Sequence, residues 1–589
     1  MTKKTGIIIL AAGSSSRLGQ PKQLLEFEGQ TLLRRISTEA VAFSGGPVQL
    51  ILGSHNETIG ATVQDLDIGL SINPNWQTGM SSSIRTGLQD LLSKHPDLER
   101  CIICLCDQPF VDRGVFQQLQ QLADSSGKGI VACSFDHTLG APVLFDKKYF
   151  NALSALQGSQ GAKNIIAQYP SDCTAFPFEA AAYDIDSEAE YFRLPHQLVS
   201  VEQAQRIISY FSPASNMLQL PISEALGYTL SEAVVAAQAI PNFAQSSMDG
   251  YAIRYNDRDL ELPVTDKIPA GSTQQKQLDI GTAMRIYTGA PLPLGADTVV
   301  MQEKVQLTEN GSIKIKDSEL RTGDHVRSKG SEADAGSMAM MPGTYLSPAA
   351  IGYLAGVGCT HVHVFAPPRV TVILTGDELR PLGSPLGFGE VYESNSYQLR
   401  AALSQLGIRE INVKHVLDDK PQLQQAMEAA LAQTDVVLLV GGVSVGDYDY
   451  VVDVAKSCGV TQRFHRIRQK PGKPLFFGTK DEKLVFGLPG NPSSALTCFY
   501  LYVVPALERI MQLPPRNRLI KTVAAFPYSK KPGLTHFLKA SYDGHAVTPL
   551  HAQESYRLQS YAQANCLLIL NEDSSGCAPG DEVFIHLFT

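Results

Sequence analysis

Short apolar runs alternate with amphipathic stretches over the first third of the chain. Runs at 7–10, 48–52, 70–72, 101–106 and 130–134 read as strands, and segments at 31–43, 82–93 and 114–123 read as helices. The strand runs are apolar at consecutive positions, which predicts burial on both faces. Strands of that kind alternating with helices predict a mainly parallel sheet covered on both sides. Ligands in such sheets bind at the carboxyl ends of the strands. The small-residue loop after Leu10 and the acid Asp107 after Cys106 both fall at such ends.

The pattern changes at 187–200, SEAEYFRLPHQLVS, which carries charges and a proline and no strand; a domain boundary is expected there. A helix is expected at 201–211, followed by Gly- and Pro-rich irregular β structure to about 366. The α/β pattern returns at RVTVILTGDEL, with strands expected at 435–440 and 483–488. After Pro514 come short strand-like segments, among them 566–570 and 582–587. The expected fold is therefore α/β, in four segments: a Rossmann-like domain at 1–192, helical and β-rich regions at 193–367, a second α/β domain at 368–513 and a β domain at 514–589.

At 589 residues the chain is too long for one core. Its net charge of −9 argues against non-specific nucleic-acid binding. The apolar run near the N-terminus is too short for a signal peptide, and no run approaches a membrane span, so a cytoplasmic location without membrane attachment is expected. The ten cysteines do not form a disulfide framework pattern. Cys101, Cys104 and Cys106 lie in an apolar run and read as buried small hydrophobes.

Two glycine-rich stretches carry the candidate chemistry. In IIILAAGSSSRLGQPK a buried strand runs into a loop with little side-chain bulk, where Ala12 and Gly13 let the backbone approach an anion and Arg17 and Lys22 neutralise it. The loop is neither a P-loop nor a GxGxxG fingerprint. It suits a triphosphate held for attack at its α-phosphorus, chemistry that also needs a divalent cation and nearby carboxylates. Asp107, Asp184 and Asp186 are the candidates. The second stretch, DVVLLVGGVSVGDYDYV, offers Gly441, Gly442, Ser444 and Gly446; downstream lie the basic run RFHRIRQKPGKPLFFG, with Arg466, Lys470 and Lys473, and the turn at Gly490 and Asn491. A basic run between glycine-rich strand ends makes an oxyanion pocket. The acids Glu378, Asp418 and Asp449 at other strand ends suggest metal-assisted phosphate chemistry.

The motifs LAAGxSxRxGxPK, TGMSSSIRTGL, DQP, GAPVLF and DIDS, in that order, resemble the molybdenum cofactor cytidylyltransferases of the MocA type. The resemblance implies transfer of CMP from CTP to the terminal phosphate of molybdopterin. Ala12, Gly13, Arg17 and Lys22 would line the phosphates, Asp107 and Asp186 would hold Mg²⁺, and Ser81, Ser82 and Arg85 would lie near the base and the pterin phosphate. Related guanylyltransferases usually read LAGG, so Ala12 favours CTP over GTP.

From NFAQSSMDGYAIR through TGAPLPLGADTVVMQE, GDHVRSKGSE, YESNS, KPGKP and GLPGNP, the remainder resembles the molybdopterin molybdenumtransferases of the MoeA type, also found in gephyrin. That resemblance implies insertion of molybdate into adenylylated molybdopterin with release of AMP. It implies roles for Asp249, Thr288, Glu378, Asp418, Asp449 and Lys470, with Arg466 standing where the family often has lysine. It also implies a homodimer through this region, and an apo-molybdoenzyme as a possible acceptor. The alternatives are the same fusion with GTP as donor, or a C-terminal part that serves as a non-catalytic scaffold.

Overall fold

The computed structural model describes residues 3–15, 18, 20–43, 46–158, 161–443, 450–514 and 518–588. The first sheet has seven strands, ordered Gly69–Ile72, Val48–Leu52, Thr5–Ala11, Arg100–Leu105, Thr138–Asp146, Ile130–Phe135 and Cys173–Pro177. The first four are parallel, and Thr138–Asp146 runs antiparallel to both its neighbours. Thr5–Ala11 is buried along its whole length because its side chains feed two cores in alternation. Ile7, Ile9 and Ala11 enter one, and Ile8 and Leu10 enter the other.

The same alternation separates the three clustered cysteines. Cys101 joins the second of these cores, whereas Cys104 and Cys106 join the first. Burial pushes all three thiols well above the usual range, and no metal site is assembled from them.

The second α/β sheet has the order Ile411–Val416, Val370–Thr375, Val436–Val440, Lys483–Leu488, Phe476–Lys480 and Thr461–His465. Its first four strands are parallel, and Phe476–Lys480 runs antiparallel to both its neighbours. Between the two α/β units lies a β-rich insertion whose six-stranded sheet includes Gly250–Ile253, Ala283–Ile286 and Thr298–Met301. The chain ends in a sheet that curls until Thr535–Tyr542 pairs with Cys566–Leu570. Its outermost strand, Gln469–Lys470, is contributed by the basic run of the second α/β unit. No helix among the described residues is long and apolar enough to cross a membrane.

The stretch 187–200 is built into the structure as firmly as the sheets beside it. Ser187 and Ser200 each form a capping box, starting the helices Glu188–Arg193 and Val201–Tyr210. Tyr191, Phe192, Leu194 and Val199 enter one apolar core with Leu25, Phe27 and Leu32 of the first domain. The same core takes in Phe464, Ile467 and Phe477 of the second α/β unit. Hydrogen bonds cross the junction too. Tyr191 Oη and Gln203 Nε2 donate to the Glu26 carbonyl at 2.8 and 2.9 Å, and the Gln197 amide donates to Glu28 Oε1 at 2.8 Å. The charges in this stretch therefore mark only its outer face.

His196 sits in that junction between the Phe27 and Tyr191 rings. Its Nε2 lies 3.1 Å from the Tyr191 carbonyl and so carries the proton; its buried Nδ1 has no partner among the described residues. Burial pulls its pKa from 6.5 to about 4. The unfolded chain therefore binds the proton first, so the neutral ring's stabilisation is complete above pH 6.5 and is lost as pH falls towards about 4. In urea titrations at about pH 7.5 and about pH 5, wild type should lose about 2 kcal/mol more than His196→Gln, which keeps the Nε2-type donor without the titration.

Candidate functional sites

The first site forms where Thr5–Ala11 and Arg100–Leu105 end side by side. The Ala12 carbonyl accepts from the Ser54 amide at 3.2 Å, and Gln23 Nε2 donates to the carbonyls of Ala11 and Gly13 at 2.8 and 3.0 Å. The loop mouth is thus pinned from below. Lys22 follows in a short 3₁₀ turn, its amide held 2.8 Å from Ser15 Oγ. Its ammonium bonds to Asp107 and lies 2.7 Å from Asp186 Oδ1. The two acids expected to share a metal are separated by 79 positions, yet they meet on one cation. Burial lowers the Lys22 pKa, but the Asp107 charge and the hydrogen bonds from both acids outweigh it and hold Lys22 above its ordinary value.

The surroundings want still more positive charge. Burial, and then the Asp107 and Asp186 carboxylates, push Asp184 upward. Asp107 Oδ1 is buried without a hydrogen-bond partner among the described residues. Two carboxylates beside an anion-binding loop, one with an unused oxygen, fit a divalent cation that completes its shell with phosphate oxygens and water. Asp107 and Asp186 would hold it.

The expected Ser81, Ser82 and Arg85 lie in the first turns of the helix Met80–Lys94. Ser82 Oγ donates to the Asn75 and Gly79 carbonyls and accepts from Asn73 Nδ2 at 2.8 Å, so this hydroxyl fixes the helix start. Arg85 donates to the Leu156 carbonyl, and Ser81 Oγ is buried without a partner among the described residues. Asn73 had no sequence signal of its own; it follows the strand Gly69–Ile72 by one residue, which is where one would have looked. Arg17 lies outside the described residues.

The second site is a cleft of about 630 Å³ at the carboxyl ends of the second sheet, lined by Glu378, Asp418, Gly441, Gly490, Asn491 and Tyr556 among others. The Thr375 hydroxyl bonds to Asp418, whose amide donates to Asp377 Oδ1 at 3.1 Å. Gly441 has φ 96°, and a Cβ there would lie 2.6 Å from the Thr375 carbonyl oxygen, so only glycine closes this turn. Asn395 Nδ2 donates to the Gly490 carbonyl at 2.8 Å, and Asn491 Nδ2 donates to Ser555 Oγ at 3.0 Å. Ser555 and Tyr556 come from the last domain, and nothing local in the sequence marks Tyr556 as part of the cleft lining. Gly442 also lines it, while Ser444, Gly446 and Asp449 lie outside the described residues.

Lys470 and Lys473 are exposed on the basic run, and the Arg466 carbonyl accepts from the Val199 amide at 3.0 Å. Buried Gln469 templates the turn between the two lysines, donating from Nε2 to the Pro471 and Gly472 carbonyls at 3.0 and 3.3 Å. Asp249 and Thr288 meet on the β-rich insertion. Asp249 Oδ1 accepts from the Thr288 amide and hydroxyl at 2.8 and 2.9 Å, and these bonds hold its carboxyl below the usual range. Among the described residues no hydrogen bond or ion pair joins this pair to the cleft.

Four family models match the chain. They are the MobA-like NTP transferase domain over residues 7–173, the MoeA N-terminal region (domain I and II) over 199–358, a probable molybdopterin binding domain over 371–509 and the MoeA C-terminal region (domain IV) over 521–588. The molybdopterin molybdenumtransferase of Haemophilus influenzae is 32% identical over 382 residues, which is 63% of this chain and 93% of that protein. That of Staphylococcus epidermidis is 33% identical over 402 residues, 66% of this chain and 95% of that protein. The crystal structure of a molybdopterin biosynthesis MoeA protein from Pyrococcus horikoshii is 31% identical and superposes with a TM-score of 0.57, covering 67% of this chain and 100% of that one.

Fold and sites together define a two-module α/β transferase, with a lysine–acid cluster at the strand ends of the first module and a cleft at those of the second. The chain belongs to the molybdopterin molybdenumtransferase family, with a MobA-like NTP transferase domain joined ahead of it.

Lys22→Met removes the cation shared by Asp107 and Asp186 and leaves like charges facing each other. Calorimetric titration with CTP should show binding weakened by about tenfold or more, the loss expected for a hydrogen bond to a charged group.

Proposed function

We propose that the chain catalyses two successive steps of molybdenum cofactor synthesis. Residues 193–589 insert molybdate into adenylylated molybdopterin and release AMP; residues 1–192 then transfer CMP from CTP to the product. In the transfer, a terminal phosphate oxygen of the pterin bonds to the α-phosphorus of CTP, the α–β bridge breaks and pyrophosphate leaves. Lys22 and the loop backbone at Ala12 and Gly13 hold the triphosphate in line, and Arg17 adds a further charge. A bound Mg²⁺ would neutralise the charge that gathers on the leaving pyrophosphate.

In the insertion step, the glycine turns at Gly441, Gly442 and Gly490 admit the pterin phosphates to the strand ends. Lys470, Lys473 and Arg466 attract the oxyanions; Arg466 supplies a planar fork where a lysine would give a point charge. Glu378, Asp418 and Asp449 order water and cations at the pyrophosphate link. Asp249 and Thr288 complete this site from a second copy of the chain, which makes the active form a homodimer. The observation that carries the reading is that one chain joins a match to an NTP transferase domain, with Lys22 held on two acids at its strand ends, to a match to a molybdopterin binding domain, with a cleft at its own strand ends.

Ala12 supports CTP as the donor, since a methyl group there narrows the loop relative to glycine. The full chain is incubated with adenylylated molybdopterin, molybdate, Mg²⁺ and either CTP or GTP, and the products are identified by mass spectrometry. Molybdate-dependent AMP release and a CMP-linked product are expected. A GMP-linked product would overturn the donor assignment, and absence of AMP release would leave the C-terminal part as a scaffold. Ala12→Gly should lower the preference for CTP over GTP by about tenfold, the discrimination available from one methyl-sized change in a pocket.

A further inference from the structure

Within the basic run, Arg468 points away from the cleft. Its side chain is only 13% exposed; Nη2 lies 2.6 Å from Glu26 Oε2, and Nε lies 2.7 Å from Glu572 Oε1. Glu26 belongs to a small hairpin of the NTP transferase domain, Glu26–Phe27 against Gln30–Thr31. Glu572 belongs to the last β domain. One guanidinium therefore joins carboxylates from the two ends of the chain.

The Arg468 backbone is committed as well. Its amide donates to the Val199 carbonyl, and its carbonyl accepts from the Thr535 amide, both at 2.9 Å. The next two residues then pair in parallel with Thr535 and His536. Lys470 is exposed, so the position of its ammonium follows from the placement of this two-residue strand.

We infer that Arg468 is a positioning residue for Lys470, and that the NTP transferase domain, through Glu26, is a structural part of the molybdate-insertion site. The inference rests on the reading of Lys470 as an oxyanion-binding residue. A planar guanidinium held between two carboxylates fixes both direction and distance. Glu26 is itself open to water, so the ion pair adds little net stability. Its effect is geometric: without Glu26 the largely buried cation lacks one partner, and the strand that carries Lys470 is free to shift.

The test uses the full chain with Glu26→Gln, and Glu26→Asp as the conservative variant. Three readouts are taken: the molybdate concentration giving half-maximal AMP release, the rate of CMP transfer, and amide exchange over residues 463–473. Glu26→Gln should raise the half-saturating molybdate by about tenfold, as loss of a supporting hydrogen bond behind a ligand does, with the maximal rate and CMP transfer little changed. Amide exchange over 463–473 should quicken, and Glu26→Asp should recover part of both effects. Unchanged half-saturation and exchange would overturn the inference. So would a parallel loss of both activities with a lowered urea midpoint, which marks general destabilisation. Wild-type chain that releases no molybdate-dependent AMP overturns the functional reading, and this inference with it.

Discussion

The apolar core that takes in Phe27, Tyr191, Phe192, Phe464 and Phe477 is the contact on which the arrangement of the chain depends. Two α/β sheets, each with a sufficient core of its own, would otherwise be joined by a tether and move independently. Here the junction residues are large, apolar and shared, so separating the modules means exposing aromatic surface. Polar contacts at the rim then set the orientation. The Glu26 carbonyl receives two side-chain donors, and its carboxylate receives Arg468. The apolar surface supplies the adhesion, and the directional bonds choose one pose.

Both candidate sites follow from the same geometric fact about parallel strands: the backbone stops at an edge where small residues leave amides accessible. What differs is how the charge is supplied. In the first module a partly buried lysine is trapped between two acids brought from distant positions. In the second, Lys470 and Lys473 sit exposed on a separate basic run, while Glu378 and Asp418 line the cleft.

The sheets were legible in the sequence because strands buried on both faces announce themselves as unbroken apolar runs. The runs at 48–52, 483–488 and 566–570 coincide with such strands, and the alternating segment 582–587 with a strand buried on one face. The stretch 187–200 reads as a boundary from its charges and proline; that it is also a packed junction is not legible, because Tyr191, Phe192, Leu194 and Val199 show their role only against partners far away in the chain. The meeting of Lys22 with Asp107 and Asp186 was legible in part, since each lies at a strand end. Asn73, Thr375, Asn395 and Tyr556 were not. Each acts through partners that only the fold supplies, Asn73 on Ser82 and Ser83, Thr375 on Asp418, Asn395 on Gly490, and a lone polar or aromatic side chain carries no period or spacing that would flag it.

The division of Cys101 from Cys104 and Cys106 between two cores has a consequence for metal traffic. Burial raises the pKa of every cysteine in the chain, so at neutral pH these sulfurs remain thiols and are poor ligands. A soft sulfur chelate passing through either cleft with a transition metal would meet little competition for that metal from the protein's own sulfur. Seven of the ten are buried and all ten are free, so packing, without any disulfide having to form, keeps most of these potential scavengers out of circulation.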